Sequence, residues 1–397
     1  MQDVPLSRTP DFYSYAEAPP DSVGLADDVV ALRWADGARL DAYGLWLFEN
    51  QMNDVTIEER TREAKIDPAE LPIAPVVMSA HLADSGDLEV GFLDGRVARY
   101  HSGWLRHVAD GQAAPDAFVA AHRTWTPNVL SEPPTFDGQS VKVDDQALLD
   151  FLTASRRFGI ARLENLGTDT DDLPTLGARI GALRDTNFGT TWPVSVDIAP
   201  TSTANTPLPL PPHTDLPTRE TPPGFQLLHC IKNTCNAGLS TMADGYAVVD
   251  HLRSHEPEQY EALTTLRWTF FNRSPEHDHR WSGPIIDRGG PGVPLTLRAF
   301  HPVRGFPAMA IEDQPRAYAA LRVFSQVAAS DEFQMRYPFK PGDLVMFDNR
   351  RILHGRTAID AAGGQRVLRG TYIDHDEVYS RLRVLARKLF CAPFSVL

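Results

Sequence analysis

Three segments of the chain carry residues whose types and spacing could do chemistry together. The first is His213-Thr214-Asp215. On an extended strand, residues i and i+2 project to one face, so this imidazole and this carboxylate can reach a single metal ion. Alone the triplet says little. The chain has 13 histidines and an acidic balance, so about one such triplet arises by chance, and a surface hydrogen-bonded pair would explain it. The second segment, Phe347-Asp348-Asn349-Arg350-Arg351-Ile352-Leu353-His354-Gly355-Arg356, sets a histidine at the end of an apolar strand. Two imidazoles and one carboxylate can take one face of an octahedron. That is the facial triad of non-haem Fe(II), which leaves three positions for a bidentate co-substrate and O₂. The third segment is the strand-like Gln365–Tyr372, which carries Arg366. A guanidinium there can hold a carboxylate through two parallel hydrogen bonds.

Other chemistry-bearing residues have plainer readings. His277-Asp278-His279 lies among Pro275, Glu276 and Arg280 and reads as a solvated loop. Cys230, Cys235 and Cys391 form no C-x-x-C pair. They are too few for a disulfide framework, which points to a reducing, cytoplasmic setting. The stretch from Ser380 to Leu389 is amphipathic and basic, and it reads as a helix packing on the core or on a second subunit. No G-x-G-x-x-G, P-loop, G-x-S-x-G or HExxH motif is present, which removes support for the common nucleotide, hydrolase and zinc-peptidase readings.

These residues need a scaffold. The chain has 397 residues, 42% hydrophobic and 23% charged, which suits two or three soluble globular domains and excludes a mainly disordered chain. No apolar run reaches the ~18 residues of a membrane helix. The net charge of −14 repels phosphate backbones and argues against a nucleic-acid partner. Proline stands at 32 residues, which predicts long ordered loops around a β-rich framework. Asp36-Gly37 and Asp94-Gly95 each lie between apolar-alternating runs and predict two hairpins. A leader over 1–25, a small all-β domain over 26–115 and a larger domain over 120–397 follow. In the larger domain, helical spacing marks Asp145–Phe158, Leu173–Leu183, Glu256–Thr265, Gln314–Ala328 and Glu377–Lys388. Strand patterns mark Gly159–Leu166, Gly224–Asn233 and Gln365–Tyr372, Gly342–Ile359 reads as strand, loop, strand, and Asn187–Pro212 reads as a long ordered loop. The fold class is mainly β with outer helices, a barrel or sandwich.

The sequence resembles the γ-butyrobetaine hydroxylase family, within the wider taurine dioxygenase-like superfamily. The matching text is HTDLPTRETPPGFQLLHCIKNT, GLSTMADG, FDNRRILHGRTAI and RVLRGTYIDHDEVYSRLRVL, in the family's order from about Asp145 to Leu385. LRWADGARLDAYGLWLFEN and FLDGRVARYHSGWL are similar to the family's small N-terminal domain. The resemblance implies a double-stranded β-helix (jelly-roll) catalytic domain with Fe(II) on His213, Asp215 and His354. It also implies 2-oxoglutarate on Arg366 and Ser240. Phe188, Trp192 and Tyr372 fall at positions of an aromatic cage for a trimethylammonium group, which cation–π attraction would hold.

There are departures from the family pattern. Asn205 stands where a further cage Tyr is expected, and Leu216 follows the H-x-D where Tyr is common. Arg298 lies where the family has an Asn-rich strand, and it could take a carboxylate or phosphonate. The family's N-terminal zinc rests on three cysteines and a histidine. Here Asn50-Gln51-Met52-Asn53 fills the cysteine stretch and His101 alone remains, so no structural zinc is expected.

The implied activity is hydroxylation of an unactivated C–H bond in a small quaternary-ammonium, amino-acid or phosphonate metabolite, coupled to decarboxylation of 2-oxoglutarate to succinate. The retained Asp215 argues against halogenation. Desaturation, cyclisation or C–C cleavage on an amino-acid-like substrate is the alternative outcome. A catalytically silent β-helix binding module is the alternative of another class. The expected partners are the small substrate, 2-oxoglutarate and O₂, in a cytoplasmic homodimer without nucleic acid or membrane.

Overall fold

Asp36-Gly37 and Asp94-Gly95 each turn the chain back on itself within a three-residue loop, 35–37 and 93–95. Gly37 and Gly95 close these loops at φ +91° and +83°, a left-handed region that favours glycine. The computed structural model describes residues 9–53, 55–195, 206–235, 238–290, 294–359 and 364–390. Asn205, Cys391 and the first eight residues of the leader lie outside the described residues.

The chain divides into two units, one of residues 1–118 with those from Arg383 onward, the other of Val119–Leu382. The sequence boundary at 120–397 is therefore corrected at its C-terminal end. In the first unit, β1 (Ser22–Ala26), β2 (Val29–Arg33) and β3 (Arg39–Tyr43) form one antiparallel sheet. β4 (Val77–Leu82), β5 (Leu88–Phe92) and β6 (Val97–Tyr100) form another. An all-β reading misses two short helices, α1 (Gly44–Glu49) and α2 (Ser102–Ala109). Both add apolar side chains, Leu47, Phe48, Trp104 and Leu105, to the core that the sheets share. The His101 ring caps α2 by accepting the Gly103 N–H at 3.1 Å.

The second unit opens with β7 (Thr135–Asp137), α3 (Gly138–Val143), α4 (Asp145–Phe158), β8 (Ile160–Glu164), α5 (Asp172–Ile180) and β9 (Thr191–Ser195). The apolar positions of α4 recur at helical spacing, with Leu148, Leu149, Phe151, Leu152 and Ser155 buried, and Asp144 caps it by accepting the Ala147 N–H. Then come β10 (Leu210–His213), β11 (Phe225–Asn233), β12 (Ser240–Asp244), α6 (Gly245–His255), α7 (Pro257–Thr265), β13 (Trp268–Arg273) and β14 (Asp278–Gly283). After these follow β15 (Ile286–Asp287), β16 (Thr296–Leu297), β17 (Arg304–Pro307), α8 (Gln314–Ala329), β18 (Gln334–Tyr337), β19 (Leu344–Asp348), β20 (Ile352–Arg356), β21 (Arg366–Ile373) and α9 (His375–Phe390). The predicted loop over Asn187–Pro212 holds two strands, β9 and β10. Its Thr and Pro content hides them from a reading by apolar periodicity.

Two sheets face each other. The smaller has the order β10-β20-β12-β18, the larger β7-β8-β19-β11-β21-β9. From β10 to β12, and again from β18 to β21, successive strands alternate between the sheets. This is the winding of a double-stranded β-helix. Met242, Met335, Tyr337 and Ile352 from the smaller sheet share one buried cluster with Ile160, Cys230, Val345, Phe347 and Leu368 from the larger. A second cluster packs α6, α7 and α8 against β13 and the β15–β16 pair. The helix α9 buries Val378, Leu382, Leu385 and Ala386, so its apolar face is covered within the chain.

One buried ion pair pins the entry to β20. Arg351 meets Asp244 through two contacts, Nε to Oδ1 at 2.9 Å and Nη2 to Oδ2 at 2.8 Å, and both side chains are 0% exposed. Asp244 also accepts the backbone N–H groups of Trp125 and Tyr246, and Arg351 donates to the carbonyls of Arg123 and Arg157. Removing one partner strands the other charge in the core, which typically costs ~3–5 kcal/mol. Asp244→Ala should therefore lower stability in urea denaturation by about that amount. A loss under about 1 kcal/mol, the range of exposed pairs, would show that the pair is dispensable.

Candidate metal centre

Strand pairing brings the two histidines together. In the antiparallel β10–β20 pair His213 stands opposite His354, and directly opposed residues share a face. Their ring centroids are 4.0 Å apart. Phe300 stacks on His213 and Phe347 leans on His354, each with centroids 4.7 Å away. The Nδ1 of His213 lies 2.9 Å from the Pro211 carbonyl. A carbonyl only accepts, so Nδ1 carries the proton and Nε2 presents its lone pair. The Nε2 atoms of His213 and His354 lie 3.4 and 3.6 Å from Oδ1 of Asp215. The potential ligand atoms of the three residues all fall within 4.8 Å of one another, the one such group of three or more among the described residues. That donor set fits a single Fe(II) ion with open coordination positions.

Asp215 follows the end of β10, and three contacts fix it. Its N–H donates to Oδ1 of Asn349 at 2.7 Å, and its carbonyl accepts from Nδ2 of Asn349 at 3.0 Å. The Tyr372 hydroxyl donates to Oδ2 at 2.7 Å, leaving Oδ1 toward the histidines. Burial pushes the Asp215 carboxyl up, but the adjoining His354 and His213 and the Tyr372 hydrogen bond outweigh it, and the group lies below the usual carboxylate range. Burial, then the charge of His213, holds His354 down to about 3. Both shifts favour the deprotonated forms that bind metal.

Arg366 is on the facing sheet. Along β21, Arg366, Leu368, Gly370 and Tyr372 alternate onto one face. Arg366 is 8% exposed, and its side chain makes no hydrogen bond or ion pair with a described residue; its Nε is buried without a partner. A buried guanidinium in that state calls for an anion. Arg369 points the other way and donates to Thr191 Oγ1 at 2.6 Å. Ser240 is buried on β12, in register with Arg356 of β20. Burial, then the charge of Arg366, pushes Arg356 down to about 10.

The aromatic residues form a contiguous group. The Trp192 and Tyr372 rings lie 4.5 Å apart, and exposed Phe188 lies 6.5 Å from Trp192. Trp192 pairs with Gly370, and a Cβ there would stand 2.7 Å from the indole. Only glycine lets the ring lie against the strand.

The expectation for Arg298 is corrected. Arg298 is buried, and its Nη1 and Nη2 donate to the carbonyls of Pro217, Arg219 and Glu220 at 2.6–3.1 Å. It clamps the loop after the H-x-D triplet, so those donors are not available to a substrate anion. Asn349 is the residue that the sequence reading missed. The segment FDNRR reads as the end of a strand, and nothing in its pattern says that one amide will reach across to Asp215. In the first unit, the amide of Gln51 donates to Phe48 O, Asn53 Oδ1 accepts from Val55 and Thr56, and His101 caps α2. Amides and one occupied imidazole do not fit a zinc site.

Tyr372→Phe keeps the ring and deletes the contact to Asp215. Groups that orient a metal ligand typically account for 10–100-fold in metal affinity. The variant should bind Mn(II) about tenfold more weakly by calorimetry, with an unchanged circular dichroism spectrum. Wild-type affinity would show that the hydroxyl does not orient Asp215.

Comparison with known proteins agrees with this geometry. Residues 122–372 match the taurine catabolism dioxygenase TauD, TfdA family. A γ-butyrobetaine dioxygenase of Pseudomonas sp. (strain AK-1) is 36% identical over 362 residues, which is 90% of this chain and 94% of that protein. The Homo sapiens γ-butyrobetaine dioxygenase is 33% identical over 266 residues, 64% of this chain and 67% of that one. Among solved structures, AAD-2 in complex with Mn(II) and N-oxalylglycine shares the fold, with a TM-score of 0.50 and 18% identity over 64% of this chain and 98% of that chain. With the match spanning most of the second unit and a relative aligned over nearly the whole chain, the protein belongs to the TauD, TfdA family and is an iron- and 2-oxoglutarate-dependent dioxygenase.

Proposed function

We propose that the protein hydroxylates an unactivated C–H bond of a small quaternary-ammonium, amino-acid or phosphonate metabolite with a cationic head. In this reading His213, Asp215 and His354 hold the iron, Arg366 and Ser240 hold 2-oxoglutarate, and Phe188, Trp192 and Tyr372 face the substrate cation. The observation that carries it is the double engagement of Tyr372. Its hydroxyl donates to Asp215 while its ring lies against Trp192. A cation held on those aromatic faces would stand beside the metal centre, where cation–π attraction in a desolvated site contributes ~2 kcal/mol or more. Iron with 2-oxoglutarate and O₂ supplies the oxidising power and releases succinate and CO₂. The chain's own residues position the reacting C–H bond and keep Asp215 ionised. The relatives described as γ-butyrobetaine dioxygenases support a quaternary-ammonium substrate.

Two departures from the family's sequence pattern point away from γ-butyrobetaine itself. Asn205 replaces an expected aromatic and suits a primary ammonium or an anionic oxygen better than a methylated head. Leu216 follows Asp215 without a polar tip. γ-Butyrobetaine should therefore stimulate succinate formation less than a smaller amino acid or a betaine with a different acid group. Within the cationic series, a neutral tert-butyl isostere should be inactive, and Trp192→Ala should lower kcat/KM about tenfold or more. Efficient γ-butyrobetaine turnover overturns the altered-pocket argument, and equal turnover of the isostere overturns the cation.

The co-substrate assignment has its own test. Losing a buried charge partner costs ~2–5 kcal/mol, so Arg366→Ala should raise the KM for 2-oxoglutarate by roughly 30-fold or more. Arg369→Ala, on the opposite face, should change it far less. The reverse order would refute the assignment of Arg366.

A further inference from the structure

We infer that Tyr337 is a second anchor for the distal carboxylate of 2-oxoglutarate, acting alongside Arg366. The inference rests on the reading of Arg366 as the first anchor and adds a residue to it. Tyr337 ends β18 and is 1% exposed, and its hydroxyl is buried without a hydrogen-bond partner. A buried unsatisfied hydroxyl is rare in a native fold and needs an explanation.

Register says which way the phenol points. In the β12–β18 pair Tyr337 stands opposite Ser240 and Met335 opposite Met242. In the β12–β20 pair Ser240 stands opposite Arg356 and Met242 opposite His354. Opposed residues share a face. Tyr337 and Ser240 are therefore on the inner face that carries His354, two residues further along their strands. Tyr337 and Met242 lie in the same buried cluster as Leu368 and Cys230 of the facing sheet. Leu368 is two residues from Arg366 and on the same face. Tyr337 and Arg366 thus approach one volume from opposite walls, close enough for the Arg366 charge to act on the phenol. The charges of Arg162 and Asp343, an ion pair at 3.1 Å, also act on the phenol. Burial holds the Tyr337 hydroxyl in its protonated, donating form.

The chemistry of the ligand matches. An ionised carboxylate offers about four lone-pair positions. The fork of Arg366 takes two, and the hydroxyls of Tyr337 and Ser240 take the others. Ser240, like Tyr337, has no side-chain partner among the described residues. Without the diacid, Arg366 and Tyr337 are both stranded; with it, both are satisfied. The cradle would select a 2-oxo acid that ends in a second carboxylate.

The test uses Tyr337→Phe, which removes one oxygen and keeps the packing. With Mn(II) bound, 2-oxoglutarate should bind the variant about tenfold more weakly by calorimetry, the usual effect of losing one hydrogen bond to a charged group. 2-Oxopentanoate, which lacks the distal carboxylate, should bind variant and wild type alike, and Mn(II) affinity should be unchanged. The variant should melt no lower than wild type without 2-oxoglutarate, and its 2-oxoglutarate-induced rise in Tm should shrink. Unchanged 2-oxoglutarate affinity in Tyr337→Phe overturns the inference. Equal weakening of 2-oxoglutarate and 2-oxopentanoate also overturns it, because a general disturbance of the fold would produce that. Arg366→Ala is measured in parallel. If it binds 2-oxoglutarate as wild type does, the underlying co-substrate reading fails, whatever Tyr337 does.

Discussion

The pairing of β10 with β20 is the constraint on which the centre depends. It sets His213 opposite His354 and fixes their separation through backbone geometry. A slip of one residue in that register would send one imidazole to the outer face and dissolve the donor set. The buried Arg351–Asp244 pair ties the start of β20 to the end of β12, its other neighbour in the sheet. Asn349, two residues earlier, grips both backbone polar groups of Asp215. The tightly hydrogen-bonded bend between β19 and β20 thus serves both the strand that carries His354 and the carboxylate that completes the triad.

The buried arginines differ in how their hydrogen-bond donors are used. Arg351 is buried and saturated by Asp244 and two carbonyls. Arg298 keeps an Nε without a hydrogen-bond partner, but three carbonyls take both of its terminal nitrogens. Arg366 and Tyr337 are also buried, and neither side chain makes a hydrogen bond or ion pair with a described residue. A native interior rarely leaves a guanidinium or hydroxyl in that state. The contrast favours scaffolding for the first pair and supports the proposed anion for the second. Composition or motif spacing alone could not have drawn it, because four buried polar side chains look alike in a sequence.

Much of the centre was legible in the sequence, for physical reasons. The apolar strand before His354 reflects strand geometry, which a sequence records directly. The H-x-D triplet reads as one strand face, but β10 ends at His213, and Asp215 reaches the histidines from the bend beyond it, held by Asn349 and Tyr372. Alternation along Gln365–Tyr372 put Arg366 and Arg369 on opposite faces, and the structure agrees. The helix Asp145–Phe158 matched because its cap, apolar period and terminal glycine all agree. β9 and β10 were hidden by Thr and Pro, and α1 and α2 lay inside segments with strand-like content. Arg298 was misread because an arginine's role depends on which carbonyls lie near it, and these come from a loop about eighty residues earlier. The double engagement of Tyr372 was half legible: its ring was placed in the cage, but its hydroxyl bond to Asp215 is long-range.

The loop after the triplet shows how the centre holds a strained backbone. Leu216 has φ +52°, a left-handed conformation that costs a residue with a Cβ ~1–2 kcal/mol. Such strain persists only where the surroundings over-determine it. Asn349 fixes the residue before Leu216, and Arg298 holds the carbonyls of Pro217, Arg219 and Glu220 after it. Each hydrogen bond from a charged donor typically contributes ~1.5–3 kcal/mol, so the clamp outweighs the strain. The left-handed turn directs the chain sharply away from Asp215 while its carboxylate stays toward His213 and His354. Arg298 therefore acts on the loop: it fixes the backbone beyond Asp215, and with it the bend from which the carboxylate stands toward His213 and His354.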